Sequence, residues 1–365
     1  MRIHYVIYIT IALISVSNSA IAQEIKIGVI SDEITIQGRV LDASDKTPIV
    51  GVNVYLNNTT VGGTTNKNGY YSFKTTLTGA YSLIFSFIGY SKQAYAVQLG
   101  KNGSKSIKVD AQLKELIYEA GEVTVTGDNR KWRRNFTAFS RNFIGESDFA
   151  DLTGIENFTV IEFNDENRNE FQAFSKEPLV IMNRALGYKV VVDLEEFEWN
   201  LRRRTGYYYT YQRFEELEPE NDAERQIWDE NRKKAYRGSL KHFLHSVYHD
   251  KVYSEGFTYR QTRSLRKAEL QELTYHRTVK GIPENSGFVF YNLSRPISVM
   301  YTIDTNDLLT SRRVEESAMN PLRNNDIIGI DQHGNLYDPL SVQVAGAWSF
   351  YRIADQLPFD YVYQK

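Results

Sequence analysis

Residues 34–99 constrain the fold of this chain more than any other stretch. They form short segments in which apolar and polar residues alternate, separated by turns rich in glycine, asparagine and proline. A period of two places successive side chains on opposite faces of a β-strand, so Ile34 and Ile36 share one buried face. Residues 81–88 are apolar on both faces, which predicts a central strand. The stretch therefore predicts an antiparallel β-sandwich of about seven strands, the size of an immunoglobulin-type domain.

Motif residues within this stretch also resemble a known family. They are Gly38-Arg39-Val40, Pro48, Gly51-Val52, Thr64, Asn68-Gly69-Tyr70-Tyr71 and Phe87-Ile88-Gly89-Tyr90. This pattern resembles the carboxypeptidase-like regulatory domain, a transthyretin-like β-sandwich, over residues 33–127. The resemblance implies an accessory module of that fold at the N-terminus and implies no peptidase activity.

In that family the sandwich often lies at the periplasmic N-terminus of TonB-dependent outer-membrane receptors. Residues 128–365 are expected to be too few for the plug and barrel of a receptor, and Lys365 stands where such barrels end in an aromatic residue. The remainder is instead similar to exported proteins in which the sandwich precedes a region of unknown function. The resemblance thus implies an envelope location without a transport activity.

Residues 1–22 have the order of a secretory signal peptide. Arg2 supplies a positive charge, residues 5–16 are largely apolar, and Ala20 and Ala22 form a small-residue cleavage site. We therefore expect cleavage after Ala22. No later stretch reaches the roughly 20 apolar residues that a membrane span needs, so the mature chain is expected to lack a transmembrane segment.

Composition narrows the location and the partners. The chain has no cysteine, which excludes disulfides and, for an exported protein, favours a bacterial envelope. We expect it in the periplasm or at the periplasmic face of the outer membrane, with the cell surface as the alternative. Its 43 Lys and Arg residues nearly balance 45 Asp and Glu residues. No nucleic-acid partner is expected, because such binding needs a concentrated basic surface.

Residues 128–365 are predicted to form a β-rich α+β domain of unknown function. The runs that predict its strands lie at 158–163, 179–183, 188–194, 287–293 and 297–303. A helical pair is predicted within 221–249, because Asn221 and Ser239 are typical N-cap residues followed by helical spacing of apolar side chains. The overall fold class is therefore mainly β with some α.

Two charged segments of this region need interpretation. Residues 130–136 combine three arginines and a lysine with Trp132 and Phe136. We interpret them as a solvated linker, with a grip on a phosphate-bearing head group or an acidic partner as the alternative. Residues 202–220 run from three arginines to a series of glutamates, which predicts a solvated excursion.

No sequence motif for catalysis is present. None of the histidines begins the His-x-x-Glu pair of a zinc carboxypeptidase, and no His-Glu-x-x-His, Gly-x-Ser-x-Gly, Gly-x-Gly-x-x-Gly or phosphate-loop motif occurs. We therefore predict a protein that is not an enzyme and needs no cofactor.

The nearest approach to a metal site is the set His242, His245 and His249, because offsets of three and four residues share one helical face. A further ligand would have to converge on them, and structural histidines are the simpler interpretation. Ser239 precedes His242 by three residues, and we interpret it as a helix cap and not as a nucleophile. No catalytic, cofactor or metal residue is assigned.

These features predict a non-catalytic exported adaptor that associates through its sandwich with an outer-membrane receptor or with assembly or secretion machinery. One alternative is a glycan-binding protein, whose candidate stacking rings are Tyr70, Tyr90, Trp348 and Tyr351. A second alternative is a hydrolase with an unfamiliar C-terminal site, in which His242 or His249 would meet carboxylates in a pocket. The arrangement of residues 237–250 around Trp348 distinguishes packing from a pocket.

Overall fold

The computed structural model describes residues 33–100, 105–116, 129–165, 169–261, 288–293, 295–303, 313–322, 327–338 and 341–364. These residues belong to one unit that spans Asp32–Lys365. The predicted signal peptide, its cleavage site and the predicted domain boundary at residue 127 lie outside the described residues. Within the described ranges, no helix is long and apolar enough to cross a membrane.

The N-terminal part contains two packed sheets, which confirms the predicted β-sandwich. Its described strands are β1 (Ile34–Asp42), β2 (Asn53–Leu56), β3 (Gly62–Thr64), β4 (Tyr70–Thr75), β5 (Gly79–Ser86), β6 (Gln93–Leu99), β7 (Ser106–Lys108) and β8 (Ala111–Leu113). One sheet has the order β4-β1-β7, with β8 also paired to β1, and the other has the order β3-β2-β5-β6. Because β5 lies between β2 and β6, its predicted central position is confirmed.

Alternation along β1 places its apolar side chains between the two sheets. Ile34, Ile36 and Val40 are buried, and they belong to the same core as Leu83 and Phe85 of β5. Burying a side chain of this size contributes about 1.5–3 kcal/mol relative to exposure. The face-to-face packing of these two strands therefore stabilises the sandwich.

The sandwich departs from the purely antiparallel arrangement that the sequence predicts. β1 runs parallel to β7 along its first half and parallel to β8 along its second half. The partner changes beside Gly38, where an added Cβ would lie 1.8 Å from the Val109 carbonyl oxygen. Alternation of residue types reports which face is buried but carries no information on strand direction.

A further sheet and a helix follow the sandwich. They comprise α1 (Asn129–Phe143), β9 (Thr153–Ile155), β10 (Ile161–Asn164), β11 (Glu170–Ser175), β12 (Leu179–Asn183), β13 (Tyr188–Asn200) and β14 (Thr205–Glu216). The strand order is β10-β11-β13-β12-β9, with β14 paired to β13. The core of this part includes Tyr188, Val190 and Val192 of β13 and Phe139 and Phe143 of α1.

The interpretation of residues 130–136 as a solvated linker is wrong, because they belong to α1. Trp132 stacks on Phe136 with ring centroids 4.9 Å apart, and Phe139 and Phe143 are buried. Aromatic residues recur here at three- and four-residue spacing, which is typical of a helix with one buried face. The arginines between them occupy the solvent side.

The predicted solvated excursion at 202–220 is also wrong, because β14 occupies most of it. β14 pairs antiparallel with β13 from Asn200↔Thr205 to Tyr188↔Glu216. Gln212 and Phe214 are buried between more exposed neighbours. Tyrosine-rich alternation of this kind favours a strand despite the charged ends of the segment.

The predicted helical pair is confirmed. Its helices are α2 (Asp222–Tyr236) and α3 (Leu240–Tyr248). Asn221 Oδ1 accepts a hydrogen bond from Glu224 N–H at 3.0 Å, and Ser239 Oγ accepts one from His242 N–H at 3.1 Å. Such caps satisfy N–H groups that the first helical turn leaves unpaired. Ser239 is therefore a helix cap.

The remaining strands surround α3. They are β15 (Phe257–Gln261), β16 (Phe288–Asn292), β17 (Ile297–Ile303), β18 (Arg313–Pro321), β19 (Ile327–Asp331) and β20 (Val342–Gly346). One sheet has the order β15-β17-β18-β20, and β16 pairs with β19. Trp348, in the short 3₁₀ helix Ala347–Phe350, packs on Phe243 of α3 with ring centroids 5.4 Å apart.

The buried carboxylate of Asp193 fixes the sandwich to residues 128–365, which we call the second region. Tyr55 OH donates to Asp193 Oδ2 at 2.9 Å, Ser86 Oγ donates to Asp193 Oδ1 at 3.1 Å, and Lys92 Nζ lies 3.7 Å from Oδ1. Burial raises the pKa of Asp193. Tyr55 and Ser86 project from the outer face of β3-β2-β5-β6, so the hydrogen bonds of Asp193 are complete only when the sandwich occupies this position.

Candidate functional site

The structure does not assemble the three helical histidines into a metal site. His242 is buried, with Nε2 3.4 Å from Glu255 Oε2, and His249 Nε2 lies 3.0 Å from the Gln332 carbonyl oxygen. Burial, with His249 and His242 nearby, lowers the pKa of His245 to about 4. In the part of the chain that the structure describes, no group of three or more His, Asp or Glu side chains could hold a metal ion.

The four rings considered for sugar stacking lie in two separate places. Tyr70 and Tyr90 belong to the sandwich, whereas Trp348 and Tyr351 lie beside α3. The Arg39 guanidinium lies over the Tyr70 ring, 5.0 Å from its centroid. The four rings therefore share no common platform, and the glycan alternative stays a prediction.

A groove with a volume of about 960 Å³ opens beside α1. Its walls come from α1, the turn between β13 and β14, β20 and the segment that follows β20. The charged residues that line it are Arg134, Arg141, Glu146, Arg204 and Arg352. Among the residues that the structure describes, four arginines against one acid give this arginine groove an excess of three positive charges, in a chain whose net charge is −2.

Two of the arginines project from the same face of α1. Arg134 and Arg141 are seven residues apart, which is close to two helical turns, and their side chains are 57% and 55% exposed. Asp165 lies 3.7 Å from Arg134, and Glu146 lies 2.8 Å from Arg141. Exposed ion pairs contribute only about 0–1 kcal/mol, so both guanidinium groups can exchange these partners for a ligand.

Asp165 does not line the groove but contacts the N-terminal half of α1. Burial alone would raise its pKa, but hydrogen bonds from Lys131 and Asn135 outweigh burial and lower the pKa. Lys131 Nζ lies 2.6 Å from Oδ1, and Asn135 Nδ2 donates to Oδ2 at 2.9 Å. The carboxylate is therefore ionised at neutral pH and anchors the N-terminal half of α1 beside the groove.

The turn between β13 and β14 places Arg204 at the rim. Arg204 has φ +55°, a left-handed conformation that costs a residue with a Cβ roughly 1–2 kcal/mol. Asn200 holds this turn. Its backbone carbonyl accepts a hydrogen bond from Arg204 N–H at 2.8 Å, and its side-chain Oδ1 accepts hydrogen bonds from the N–H groups of Arg202 and Arg203. Among the described residues, neither Arg204 nor Arg352 has an acidic partner within ion-pair distance.

The groove also borders the outer edge of β14. Asn58 N–H donates to the Gln212 carbonyl, and Phe214 N–H donates to the Thr59 carbonyl, so these β14 groups point away from β13. The same alternation directs the amide and carbonyl of Gly206, a lining residue, toward this edge. Apart from the bridge to Thr59 and the hydrogen bonds of Asn57 and Asn58 with Gln212, β14 has no strand pairing on this edge within the described ranges. An edge of this kind can bond an extended peptide.

Sequence patterns locate only part of the groove. The alternative interpretation of residues 130–136, a grip on an acidic partner, includes Arg134. Arg141 can be found from its seven-residue spacing to Arg134 once α1 is recognised. Phe350, which is 72% exposed, and Arg352 reach the groove only through the tertiary fold.

A protein-family model described as CarboxypepD_reg-like domain matches residues 36–125. The match confirms the family that the motif residues of the sandwich resemble. No match is found among curated proteins.

Several solved structures are similar to part of this chain, with low TM-scores. The group B streptococcus pilus 2b backbone protein is 17% identical over 22% of this chain and 40% of that one, with a TM-score of 0.19. BcpA, the major pilin subunit of Bacillus cereus, is 14% identical over 23% of this chain and 30% of that one, with a TM-score of 0.20. The Bacillus anthracis TIE protein is 22% identical over 23% of this chain and 17% of that one, with a TM-score of 0.20. This chain thus spans less than half the length of each.

Proposed function

With residues 36–125 shown to be a CarboxypepD_reg-like domain, we propose that this protein is a non-catalytic exported adaptor of the bacterial cell envelope. Its partner-binding surface is the arginine groove, and its partner presents an acidic, extended segment of another envelope protein. The observation that supports this most is the excess of three positive charges around a groove that borders an open strand edge.

Guanidinium groups pair with carboxylates and with phosphates alike through two parallel hydrogen bonds, so two other features of the groove favour an acidic peptide over a lipid head group. The β14 edge offers backbone hydrogen bonds that only a polypeptide can complete in register. Phe350 adds an exposed apolar contact beside the charges, and aromatic anchors contribute strongly at protein interfaces.

The sequence alone predicts partner binding through the sandwich. In the structure, the outer face of one sandwich sheet is buried against β13 at Asp193. The exposed face of the other sheet carries mixed polar side chains, such as Gln37, Ser72 and Lys74. We therefore place partner binding in the groove, and binding through the sandwich stays a prediction.

The proposed location is the periplasm or the periplasmic face of the outer membrane. The signal-peptide pattern of residues 1–22 and the lack of cysteine support it. Fractionation of cells tests this location: the mature chain is expected in the envelope fraction, and its recovery from the cytoplasm with an uncleaved N-terminus would contradict it.

Fluorescence anisotropy with a labelled peptide that alternates glutamate and valine tests the adaptor proposal. We expect saturable binding at low salt, no binding of the matching lysine–valine peptide, and at least tenfold weaker binding to Arg134→Gln/Arg204→Gln. The control Arg39→Gln/Arg225→Gln removes two arginines that do not line the groove and should bind as the wild type does. Equal binding by both double variants would contradict the proposal.

A further inference from the structure

We propose that a second site, separate from the arginine groove, binds a small neutral and largely apolar molecule that carries a hydroxyl or amide donor. The site is a junction cavity of about 390 Å³ where the sandwich, β14, α3 and the C-terminal segment, residues 347–364, meet. Asn58, Gln212 and Leu244 line it from the first three of these parts. Small-molecule sites typically have volumes of about 300–1,000 Å³.

The wall of the junction cavity is mostly apolar. Leu240 and Leu244 of α3, Leu336, Val344 and Trp348 contribute to it. Trp348 is held in place, because its Nε1 donates to the Gly238 carbonyl at 2.7 Å. The indole therefore has no polar group left for an occupant and offers only its ring surface. An occupant that fills this space needs an apolar body.

Two residues of the wall carry a buried amide oxygen that has no donor. Gln212 and Asn335 are 4% and 5% exposed, and within the described part of the chain Gln212 Oε1 and Asn335 Oδ1 have no hydrogen-bond partner. The nitrogen atoms of both amides are in use: Asn335 Nδ2 donates to Asp331 Oδ2 at 2.9 Å, and Gln212 Nε2 donates to Gln356 Oε1 at 2.5 Å. Buried acceptors without partners are costly, so an occupant that supplies a donor is favoured when either side chain turns its oxygen to the cavity surface.

The charged side chains of the wall are engaged by the protein itself. Lys241 Nζ donates to the carbonyl oxygens of Pro358 and Phe359, each at 2.9 Å. Asp355 Oδ2 accepts from Arg352 N–H at 3.1 Å. These contacts engage the charged side chains within the protein, which favours a neutral occupant. They also hold the C-terminal segment against α3 and close that side of the cavity.

This chemistry fits an aryl or alkyl alcohol better than a sugar. A sugar carries hydroxyl groups around its whole ring, and most of them would face leucine and valine without a partner. Burying a hydroxyl without a hydrogen bond is unfavourable. One or two donors on an apolar body match the two amide oxygens and the apolar wall.

Isothermal titration calorimetry on the full chain tests the proposal with 2-naphthol and 2-methoxynaphthalene as probes. The two probes share the aromatic body, but only 2-naphthol can donate a hydrogen bond. We expect one-to-one binding of 2-naphthol that is about tenfold tighter than binding of the methoxy probe. Equal binding of the two probes, or no binding of either, would overturn the proposal.

Variants locate the preference within the molecule. We expect Gln212→Leu/Asn335→Leu to bind both probes equally and Val344→Trp, which fills the cavity, to bind neither. The control Gln172→Leu changes an exposed glutamine on β11 and should keep the preference, as should Arg134→Gln in the groove. A preference for 2-naphthol that survives the double leucine change would refute the site.

Nuclear magnetic resonance on the wild type removes the dependence on variant folding. With leucine methyl groups labelled, 2-naphthol should give nuclear Overhauser effects to Leu244 and Leu336. Contacts to leucines outside the cavity instead, such as Leu83 of the sandwich core, would also refute it.

Discussion

The arginine groove and the junction cavity differ in the origin of their selectivity. The groove is open, and its described lining residues all come from the second region, with exposed guanidinium groups as its main feature. The cavity spans the sandwich and the second region, and its main features are apolar walls and neutral amides. Groove binding should therefore respond to charge and salt, because exposed charges are screened, and cavity binding should respond to packing at the junction.

The C-terminal segment contributes to both sites. Phe350 and Arg352 line the groove, whereas Trp348, Tyr351 and Phe359 line the cavity. Truncation of this segment would damage both sites at once and would not separate them. Informative variants must lie on the walls that the two sites do not share.

The largest effect is expected from charge reversal in the groove. Arg134→Glu/Arg204→Glu removes two attractive contacts and adds two repulsive charges, so binding of the glutamate–valine peptide should fall at least ~100-fold. Fluorescence anisotropy measures this loss. Binding of 2-naphthol should stay within a factor of two, and a parallel loss of both ligands would show that the two sites are not independent.

Loss of the junction carboxylate should weaken the fold and, with it, the cavity. Asp193→Ala leaves the buried Tyr55 hydroxyl without its acceptor, which should lower the free energy of unfolding by about 2–3 kcal/mol. Urea denaturation measures the change. Glu195→Ala is the control, because this partly exposed acid pairs with the same Lys92 and its loss should cost less than about 1 kcal/mol. Equal losses in both variants would contradict a junction fixed by Asp193.

The next effect is a pH dependence from the cavity wall. Burial lowers the pKa of Lys241 to about 8, whereas a lysine in an unfolded chain titrates near ~10.4. Between these pH values the unfolded chain binds more protons, so the free energy of unfolding of the wild type, relative to Lys241→Met, should rise with pH by about 1–3 kcal/mol. Lys74→Met, at an exposed position, should show no such trend. A flat difference for Lys241→Met would mean that this amine is not buried in solution.

The smallest effect is expected from the apolar rim of the groove. Phe350→Ala should weaken binding of the glutamate–valine peptide about three- to tenfold, because an exposed ring contributes contact area without charge. Tyr209→Ala is a matched control, because Tyr209 is an exposed ring of β14 that does not line the groove. Anisotropy titrations of the two variants distinguish a specific contact from a general loss of aromatic surface.

Local patterns predict the parts of this fold that local forces decide. The alternation at Ile34 and Ile36 and the caps at Asn221 and Ser239 depend on neighbours in sequence, and each is found where the sequence places it. The parallel pairing of β1 with β7 and β8 depends on the path of the chain between sheets. The alternation of apolar and polar residues along these strands does not predict this pairing.

Charged residues make α1 and β14 hard to recognise in the sequence. In α1 and β14 the periodic pattern is present, at Phe139 and Phe143 and at Gln212 and Phe214, but charged residues interrupt it. Long charged side chains remain in solvent at an element's outer face and do not prevent it from forming. Both elements contribute residues to the groove. A sequence interpretation that does not recognise these elements therefore identifies no residue of the site except Arg134.

Site-specific photocrosslinking in envelope extracts tests the central claim most directly. A benzophenone amino acid replaces Phe350 in the groove in one variant and Tyr70 on the exposed sandwich surface in another. We predict a crosslinked partner at the Phe350 position only, attached through a segment rich in Asp and Glu, and its disappearance when Arg134→Glu/Arg204→Glu is added. A crosslink at the Tyr70 position without one at the Phe350 position would contradict the account and return partner binding to the sandwich.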